Sequence, residues 1–182
     1  MVTANDIRDV LKTIPDPEMP ISIVDLGIVE NVHVAPDSGG ARVRIDILPT
    51  FVGCPALPMI EDEIRKHLTQ LPNVAQVSVR FLYDPPWSVD RITEAGRKSL
   101  REHGVTVPAC EALTSPERER GTAKTEAESI VLLTVSAEPR PVACPFCDSE
   151  STRVESAFGP TRCRMIYYCE ACRNSFEHLK RV

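Results

Sequence analysis

The sequence lacks several features that mark common classes of protein. Its formal net charge is −5, so it has no overall excess of Lys and Arg to bind a nucleic acid. It contains only eight glycines and four histidines, and these form neither a Gly-rich phosphate loop nor a histidine motif with a nucleophile. We therefore expect no nucleic-acid partner, and an independent hydrolase or oxidoreductase is the weakest of the functional hypotheses.

Long apolar segments are also missing. The longest apolar run, near residues 130–135, is far shorter than the roughly 20 residues that span a bilayer. The first residues show neither a basic nor an apolar targeting region. The seven cysteines are an odd number, which fits reduced thiols better than a disulfide framework. We expect a cytoplasmic protein with no membrane partner.

Four of the cysteines form the most informative pattern in the chain. Cys144 and Cys147 make one C-x-x-C pair, and Cys169 and Cys172 make another. The residues between the pairs, 148–168, are enough for a β-hairpin that brings the four thiolates together around one tetrahedral ion. This spacing predicts a structural zinc site, although the same ligands could hold iron or an iron–sulfur cluster.

Two further interpretations concern single cysteines of this region. Cys144 and Cys147 also have the spacing of a thiol-redox pair, but such a pair needs a helix that starts at the first cysteine, and no helical pattern follows. Cys163 lies between the two pairs, where it is either a small buried side chain or an additional ligand. Cys110 has no partner at ligand spacing.

The periodicity of the remaining sequence predicts an α/β (α+β) fold. Apolar residues at helical spacing predict three helices: one that ends near Ile14, one from Pro55 to Gln70 and one from Asp90 to Glu102. Alternating apolar and polar residues predict strands over 27–34, 42–48 and 74–81. This order suggests a small two-layer sheet-and-helix domain, followed by a zinc-ribbon-like β module. We predict a first domain over residues 1–105, a linker over 106–140 with one docking strand, and a ribbon over 141–182.

Cys54 is the candidate reactive thiol of the first domain. It directly precedes Pro55, where a helix is predicted to start, and the N–H groups and dipole of a helix N-terminus favour a thiolate. The alternative is a buried cysteine that acts as a small apolar side chain. Asp16 and Glu18 could add oxygen ligands or hydrogen bonds, although acids in a Pro-rich turn are usually solvated.

Several segments together resemble a known family. Asp16-Pro-Glu18, Ser22 to Val29 and Thr50-x-x-Gly-Cys-Pro55 are similar to the signature segments of SufT-like iron–sulfur assembly proteins. With Pro85-Pro-Trp87 and the four-cysteine tail, nearly the whole chain resembles the PaaD subunit family of the phenylacetyl-CoA epoxidase system. The segment of residues 115–137 is longer and more polar than the corresponding segment expected of this family.

The resemblance implies a maturation role for a multicomponent ring epoxidase in aerobic phenylacetate degradation. Cys54 would contact iron or a transient iron–sulfur cluster, Asp16 and Glu18 would be its neighbours, and the four ribbon cysteines would hold zinc. The partners would be the oxygenase and reductase subunits, and two chains sharing one cluster would form a homodimer. The alternative is a non-enzymatic adaptor that docks oxygenase subunits. In it an exposed Trp87 would be an interface anchor, although a tryptophan in the core is the more frequent case.

Overall fold

The computed structural model describes residues 2–109 and 142–181. Its helices are α1 (Ala4–Leu11), α2 (Leu57–Thr69) and α3 (Glu94–Glu102). Its strands are β1 (Val29–Asp37), β2 (Gly40–Ile47), β3 (Val74–Phe81), β4 (Val105–Thr106), β5 (Thr152–Ser156), β6 (Arg164–Cys169) and β7 (Ser175–Leu179). The predicted α+β fold class is confirmed. Residues 2–109 are called the front part below, and residues 142–181 are called the ribbon.

The first sheet has the strand order β1-β2-β3. β1 and β2 form an antiparallel hairpin, and β3 pairs parallel to β2 after the chain has crossed over through α2. Alternate residues of β2, namely Val43, Ile45 and Ile47, are fully buried, as expected of a strand with one face on a core. Helix α2 contributes Ile60, Ile64 and Leu68 to the same core.

Local signals at the helix ends explain where the helices begin. Thr3 and Asp6 form a reciprocal capping box at the start of α1. Thr93 caps α3 by accepting a hydrogen bond from the N–H of Gly96 at 3.0 Å. The predicted start of the third helix at Asp90 was wrong, because residues 89–91 form a separate 3-10 turn before this cap.

Helix α2 begins later than the sequence predicted. Its first residue is Leu57 and its N-cap is Ala56, whose side chain offers no capping oxygen. Pro58 occupies the first turn, where a missing N–H costs no intrahelical hydrogen bond. Cys54 therefore lies two residues before the N-cap and not at the helix terminus itself.

Trp87 is a core residue and not an exposed anchor. Only 3% of its surface is accessible, and its indole N–H donates to the carbonyl oxygen of Leu26 at 3.1 Å. Of the two interpretations of Trp87, the core residue is therefore confirmed and the exposed docking residue is wrong, because Trp87 packs in the core of the front part.

The second sheet joins the ribbon to the front part. Its order is β4-β7-β6-β5, in which β5, β6 and β7 are antiparallel and β4 pairs parallel to β7. Arg101 forms an ion pair with Asp148 across this junction, and the ring of Phe146 lies close over Gly104. The predicted domain boundaries stay a prediction. However, β4 contains the predicted boundary between residues 105 and 106, and it pairs with β7 of the ribbon. The expected docking strand at 130–135 lies outside the described residues.

Candidate functional site

The four ribbon cysteines converge as their spacing predicted. The sulfurs of Cys144, Cys147, Cys169 and Cys172 all lie within 4.8 Å of one another. Cys144 is 3.6 Å from Cys172, and Cys147 is 3.6 Å from Cys169. Four sulfurs at the zinc–sulfur bond length of about 2.3 Å would be separated by roughly 3.8 Å in a regular tetrahedron, so the quartet fits a zinc ion.

The two C-x-x-C pairs adopt the same backbone conformation. The N–H of Asp148 donates to the carbonyl of Cys144 at 3.0 Å, and the N–H of Arg173 donates to that of Cys169 at 2.9 Å. Asp148 and Arg173 both have positive φ values, 60° and 61°. Two identical turns that face each other each supply two sulfurs, which is the arrangement of a closed structural zinc site.

Backbone N–H groups lower the pKa values of three of these sulfurs, whereas burial and the neighbouring thiols raise those of Cys144 and Cys147. The N–H of Asn174 lowers the pKa of Cys172 to about 6. Burial raises the pKa of Cys144, and this effect is opposed by hydrogen bonds from the N–H groups of Phe146 and Cys147. Such N–H donors orient thiolate ligands and stabilise their negative charge once a cation is bound.

The redox interpretation of Cys144 and Cys147 has no structural support in the described ribbon. A turn follows Cys144, and residues 142–181 contain strands but no helix. A helix N-terminus that would activate the first thiol is therefore missing from this segment.

Cys54 is half-buried, with its surface only partly covered by the core of the front part. The backbone N–H of Ala56 lowers the pKa of the Cys54 thiol. Burial nevertheless raises the pKa of Cys54, and the negative charges of Glu18 and Asp16 add to that effect. The expectation that a helix terminus favours the thiolate of Cys54 was therefore wrong, because burial outweighs the effect of the backbone N–H on its pKa.

Asp16 and Glu18 are near enough to Cys54 to affect its pKa. Asp16 accepts hydrogen bonds from the N–H groups of Glu18 and Met19, both at 2.9 Å, which fixes the turn that carries the two acids. Burial raises the pKa of Asp16 despite these hydrogen bonds. Both acids act electrostatically on Cys54 and raise its pKa. Their assignment as cofactor-binding residues remains a prediction.

Cys163 is the residue whose position the sequence did not predict. It is buried, with 2% of its surface accessible, and it lies in the core cluster of the front part rather than in the cluster around the zinc ligands. Its charge acts on Cys54. A cysteine just before β6 carries no signal of which neighbour it will face, because that depends on how the ribbon packs. Cys110 lies outside the described residues.

A shallow cavity adjoins the Cys54 loop. Its wall is mainly apolar and consists of Pro49, Thr50, Phe51, Val52, Tyr83, Pro86 and Trp87. No helix in the described part of the chain is long and apolar enough to cross a membrane.

Two family models match different parts of the chain. A model described as an iron–sulfur cluster assembly protein matches residues 4–79, and one described as the PaaD zinc beta ribbon domain matches residues 128–180. The fold and the four-cysteine site thus define an iron–sulfur-assembly type of protein that carries a zinc ribbon.

The relatives extend this assignment over the full length. The chain is 34% identical to an Escherichia coli protein whose name describes it as a subunit of a "Putative 1,2-phenylacetyl-CoA epoxidase", over 97% of this chain and 92% of that protein. The chain therefore belongs to the PaaD family.

Shorter relatives match the front part alone. The Bacillus subtilis protein named "Fe-S protein maturation auxiliary factor YitW" is 34% identical over 52% of this chain and 90% of its own length. The Staphylococcus aureus protein named "Fe-S protein maturation auxiliary factor SufT" is 35% identical over 47% of this chain and 93% of its own length. These relatives support an accessory role in iron–sulfur handling.

Proposed function

We propose that this chain is an accessory subunit that helps to assemble or deliver iron or an iron–sulfur cluster for a multicomponent phenylacetyl-CoA epoxidase, without catalysis of its own. The observation that carries the proposal is the half-buried thiol of Cys54 beside Asp16 and Glu18. It lies in an assembly-type fold that is joined to a PaaD ribbon. The oxygenase and reductase subunits of the same system would be its partners.

The two metal sites would have different tasks. The ribbon quartet closes around its ion with four thiolates, which leaves no position for a substrate and suits a structural zinc. Such an ion contributes on the order of 10–16 kcal/mol to folding, which a segment of this size needs because its own core is small. The ribbon would thus hold the chain together while the cargo binds elsewhere.

Cys54 suits a cargo that has to leave again. A thiol that is protonated when empty, and that has acids rather than further thiols on its own segment, holds iron less firmly than a closed quartet does. Its partial exposure supplies a route for a recipient protein. A homodimer in which two chains share a cluster remains a prediction of this function.

The structural adaptor remains the alternative function. Val52 and Phe158 are 79% and 81% exposed, and large apolar side chains on a surface are common in protein–protein contacts. An adaptor would bind zinc in the ribbon and would take up no iron.

The test replaces Cys54 in cells that make the whole epoxidase system. We expect Cys54→Ala to lower the cluster content of the partner reductase and the epoxidase activity together, whereas Cys110→Ala, which removes a thiol without a predicted role, should leave both unchanged. Full cluster content with Cys54→Ala would refute the assembly function. Loss of complex formation with normal cluster content would favour the adaptor.

A further inference from the structure

A crevice opens between two loops at one end of the first sheet. β2 and β3 run parallel, with Ile47 paired to Phe81 at their ends, and the N–H of Leu82 donates to the carbonyl of Ile47 at 2.8 Å. The loops that follow these strands, residues 48–56 and 82–88, therefore leave the sheet side by side. The carboxyl ends of parallel strands are where binding crevices form in α/β sheets.

The crevice contains the apolar cavity beside the Cys54 loop. Its volume is about 220 Å³, and three of its lining residues, Phe51, Tyr83 and Trp87, are aromatic. Typical small-molecule pockets are larger, at roughly 300–1,000 Å³, so this cavity suits one protein side chain better than a whole cofactor. Aromatic rings also favour edge-to-face or offset contacts with a further ring. The cavity therefore fits an aromatic side chain.

Both walls of the cavity are held in place by the fold. The indole N–H of Trp87 donates to the carbonyl of Leu26 at 3.1 Å, and two prolines directly before Trp87 restrict the backbone of its loop. On the other wall, the N–H of Leu57 donates to the carbonyl of Cys54 at 3.4 Å, which joins the Cys54 loop to the start of α2. A preformed cavity spares a partner the entropic cost of ordering these loops.

The rim of the cavity exposes apolar surface next to Cys54. Val52 on one loop is 79% exposed, and Tyr83 on the other is 54% exposed. Val52 and Cys54 are two residues apart, so their Cα atoms are separated by at most about 7 Å. Between them, a Cβ added to Gly53 would have no described atom within 4 Å. A partner with a side chain in the cavity would therefore lie beside Cys54.

The two segments that form the crevice carry no positive charge. Residues 48–60 contain no charged residue, and residues 81–90 contain Asp84 and Asp90 but neither Lys nor Arg. Asp90 is paired with two arginines, whereas the exposed Asp84 forms no ion pair with a described residue. Segments without cations do not attract a nucleic acid or an anionic membrane. The carboxylate of Asp84 instead favours a partner with Lys or Arg next to its apolar side chain.

We propose that this crevice is the docking site for a segment of a partner protein that presents an aromatic side chain flanked by Lys or Arg. The aromatic side chain fills the cavity between Phe51, Tyr83 and Trp87, and the cation lies beside Asp84. This inference rests on the proposed function, since docking brings the recipient of the iron or cluster next to Cys54. It adds the chemistry of the recipient's contact segment to that function.

The experiment measures the fluorescence of Trp87, the one tryptophan of the chain, in the zinc-loaded full-length protein at low ionic strength. The probes are three synthetic pentapeptides: phenylalanine flanked by lysines, alanine flanked by lysines, and phenylalanine flanked by glutamates. The first should change the emission and bind at least about tenfold more tightly than the second and at least about threefold more tightly than the third. Equal binding of all three, or no change in emission up to about 10 mM peptide, would refute the docking site.

Three variants locate the binding. Val52→Lys places a cation on the rim and should weaken binding of the phenylalanine–lysine peptide at least about tenfold. Met59→Lys is the matched control, because Met59 is also an exposed apolar residue but does not line the cavity, and it should bind like the wild type. Asp84→Asn should reduce the preference for lysine over glutamate by about twofold to fivefold. Zinc content and circular dichroism should stay unchanged in all three.

Other occupants of the crevice give different results. If the wild type is a dimer and Val52→Lys is a monomer, a second copy of the chain fills the crevice. If replacement of residues 130–135 by Gly and Ser tightens peptide binding at least about tenfold, the chain's own apolar run fills it. Either result overturns the proposal, as does peptide binding that Val52→Lys leaves unchanged.

Cells that make the whole epoxidase system separate this proposal from the proposed function. Val52→Lys should lower the cluster content of the reductase, as Cys54→Ala does. If only Cys54→Ala lowers it, the crevice is not the docking site of the recipient and the proposed function stands. If the peptides bind as expected but Cys54→Ala leaves the cluster content full, the proposed function is refuted and the docking site stands.

Discussion

At the scale of single residues, Cys54 shows how burial and neighbouring negative charges together disfavour a thiolate. Its pKa is raised by burial and by Glu18 and Asp16, against the one favourable N–H of Ala56. A bound cation reverses the effect of the acids, because the same negative charges then stabilise the complex. The turn around Asp16 would thus protect an empty site from oxidation and alkylation.

Neutralising Glu18 should make Cys54 more reactive in the metal-free protein. Glu18→Gln removes a negative charge that raises the pKa of Cys54, so the pH midpoint of its alkylation should move to lower pH. The rate of modification of Cys54 by iodoacetamide as a function of pH, followed by peptide mass spectrometry, measures this shift. Glu102→Gln is the matched control, since Glu102 pairs with Lys98 on α3. An unchanged midpoint in Glu18→Gln would contradict the electrostatic coupling.

Trp87 allows a second prediction at this scale. Trp87→Phe removes the buried hydrogen bond to the carbonyl of Leu26 and should lower the free energy of unfolding by about 1–3 kcal/mol. Chemical denaturation followed by circular dichroism measures the loss. Tyr83→Phe, at an exposed site of the same segment, should have little effect. Equal stability of Trp87→Phe and the wild type would show that the indole N–H contributes nothing.

At the scale of elements, the accuracy of the sequence-based predictions depended on how local each signal was. The apolar spacing before Ile14, the alternation in β2 and the apolar repeat of α2 are patterns within one element, and each predicted an element that the structure contains. The start of α2 was misplaced because proline fits several positions of a first turn. The pairing of β4 with β7 could not be predicted, since two residues carry no periodicity.

The candidate site follows the same rule. The quartet could be predicted because each C-x-x-C pair is complete within four residues. Cys163 could not be placed, because its contact with the front part depends on how two separately patterned segments pack. The raised pKa of Cys54 was also unpredictable from its own segment, since its main cause is burial by the rest of the fold.

The second metal-binding turn offers a prediction about backbone conformation. Arg173 has a φ of 61°, a conformation that costs a side-chain-bearing residue about 1 kcal/mol more than glycine. Arg173→Gly should therefore stabilise the zinc-loaded ribbon by about 1 kcal/mol, measured as slower zinc loss to a chelator.

Arg173→Ala is the control for that substitution, because it removes the guanidinium but keeps the unfavourable Cβ. It should release zinc at the wild-type rate. If Arg173→Gly and Arg173→Ala both slowed the loss of zinc to the same extent, the cause would be the removed charge rather than backbone strain.

At the scale of the whole molecule, the junction between the two parts contains a partly buried histidine, His178. Burial lowers the pKa of His178 to about 4. The side chain lies 2.8 Å from the hydroxyl of Thr106 on β4, and its ring packs edge-on against Tyr167 at 5.3 Å. A neutral His178 is therefore part of the contact between the front part and the ribbon.

This histidine should make the folded protein less stable in weak acid. The unfolded chain binds a proton at His178 below about pH 6.5, whereas the folded protein resists it until about pH 4, so stability is complete above 6.5 and falls between these values. The loss would reach on the order of 3 kcal/mol.

The unfolding free energies of the wild type and His178→Gln, measured across this range, test the prediction. Their difference removes the effect of zinc release in acid, which both proteins share. If the unfolding free energies of the two proteins changed in parallel with pH, the pKa of His178 would not be lowered by folding.

The parallel pairing of β4 with β7 has a consequence for the continuity of the polypeptide. Residues 2–109 and 142–181 meet through this ladder, through the ion pair of Arg101 with Asp148 and through the burial of Cys163 and Leu179 in a common core. A protease cut anywhere between residues 110 and 141 should therefore leave two fragments that co-purify as one particle. The same two pieces, synthesised separately, should find each other and rebuild the molecule.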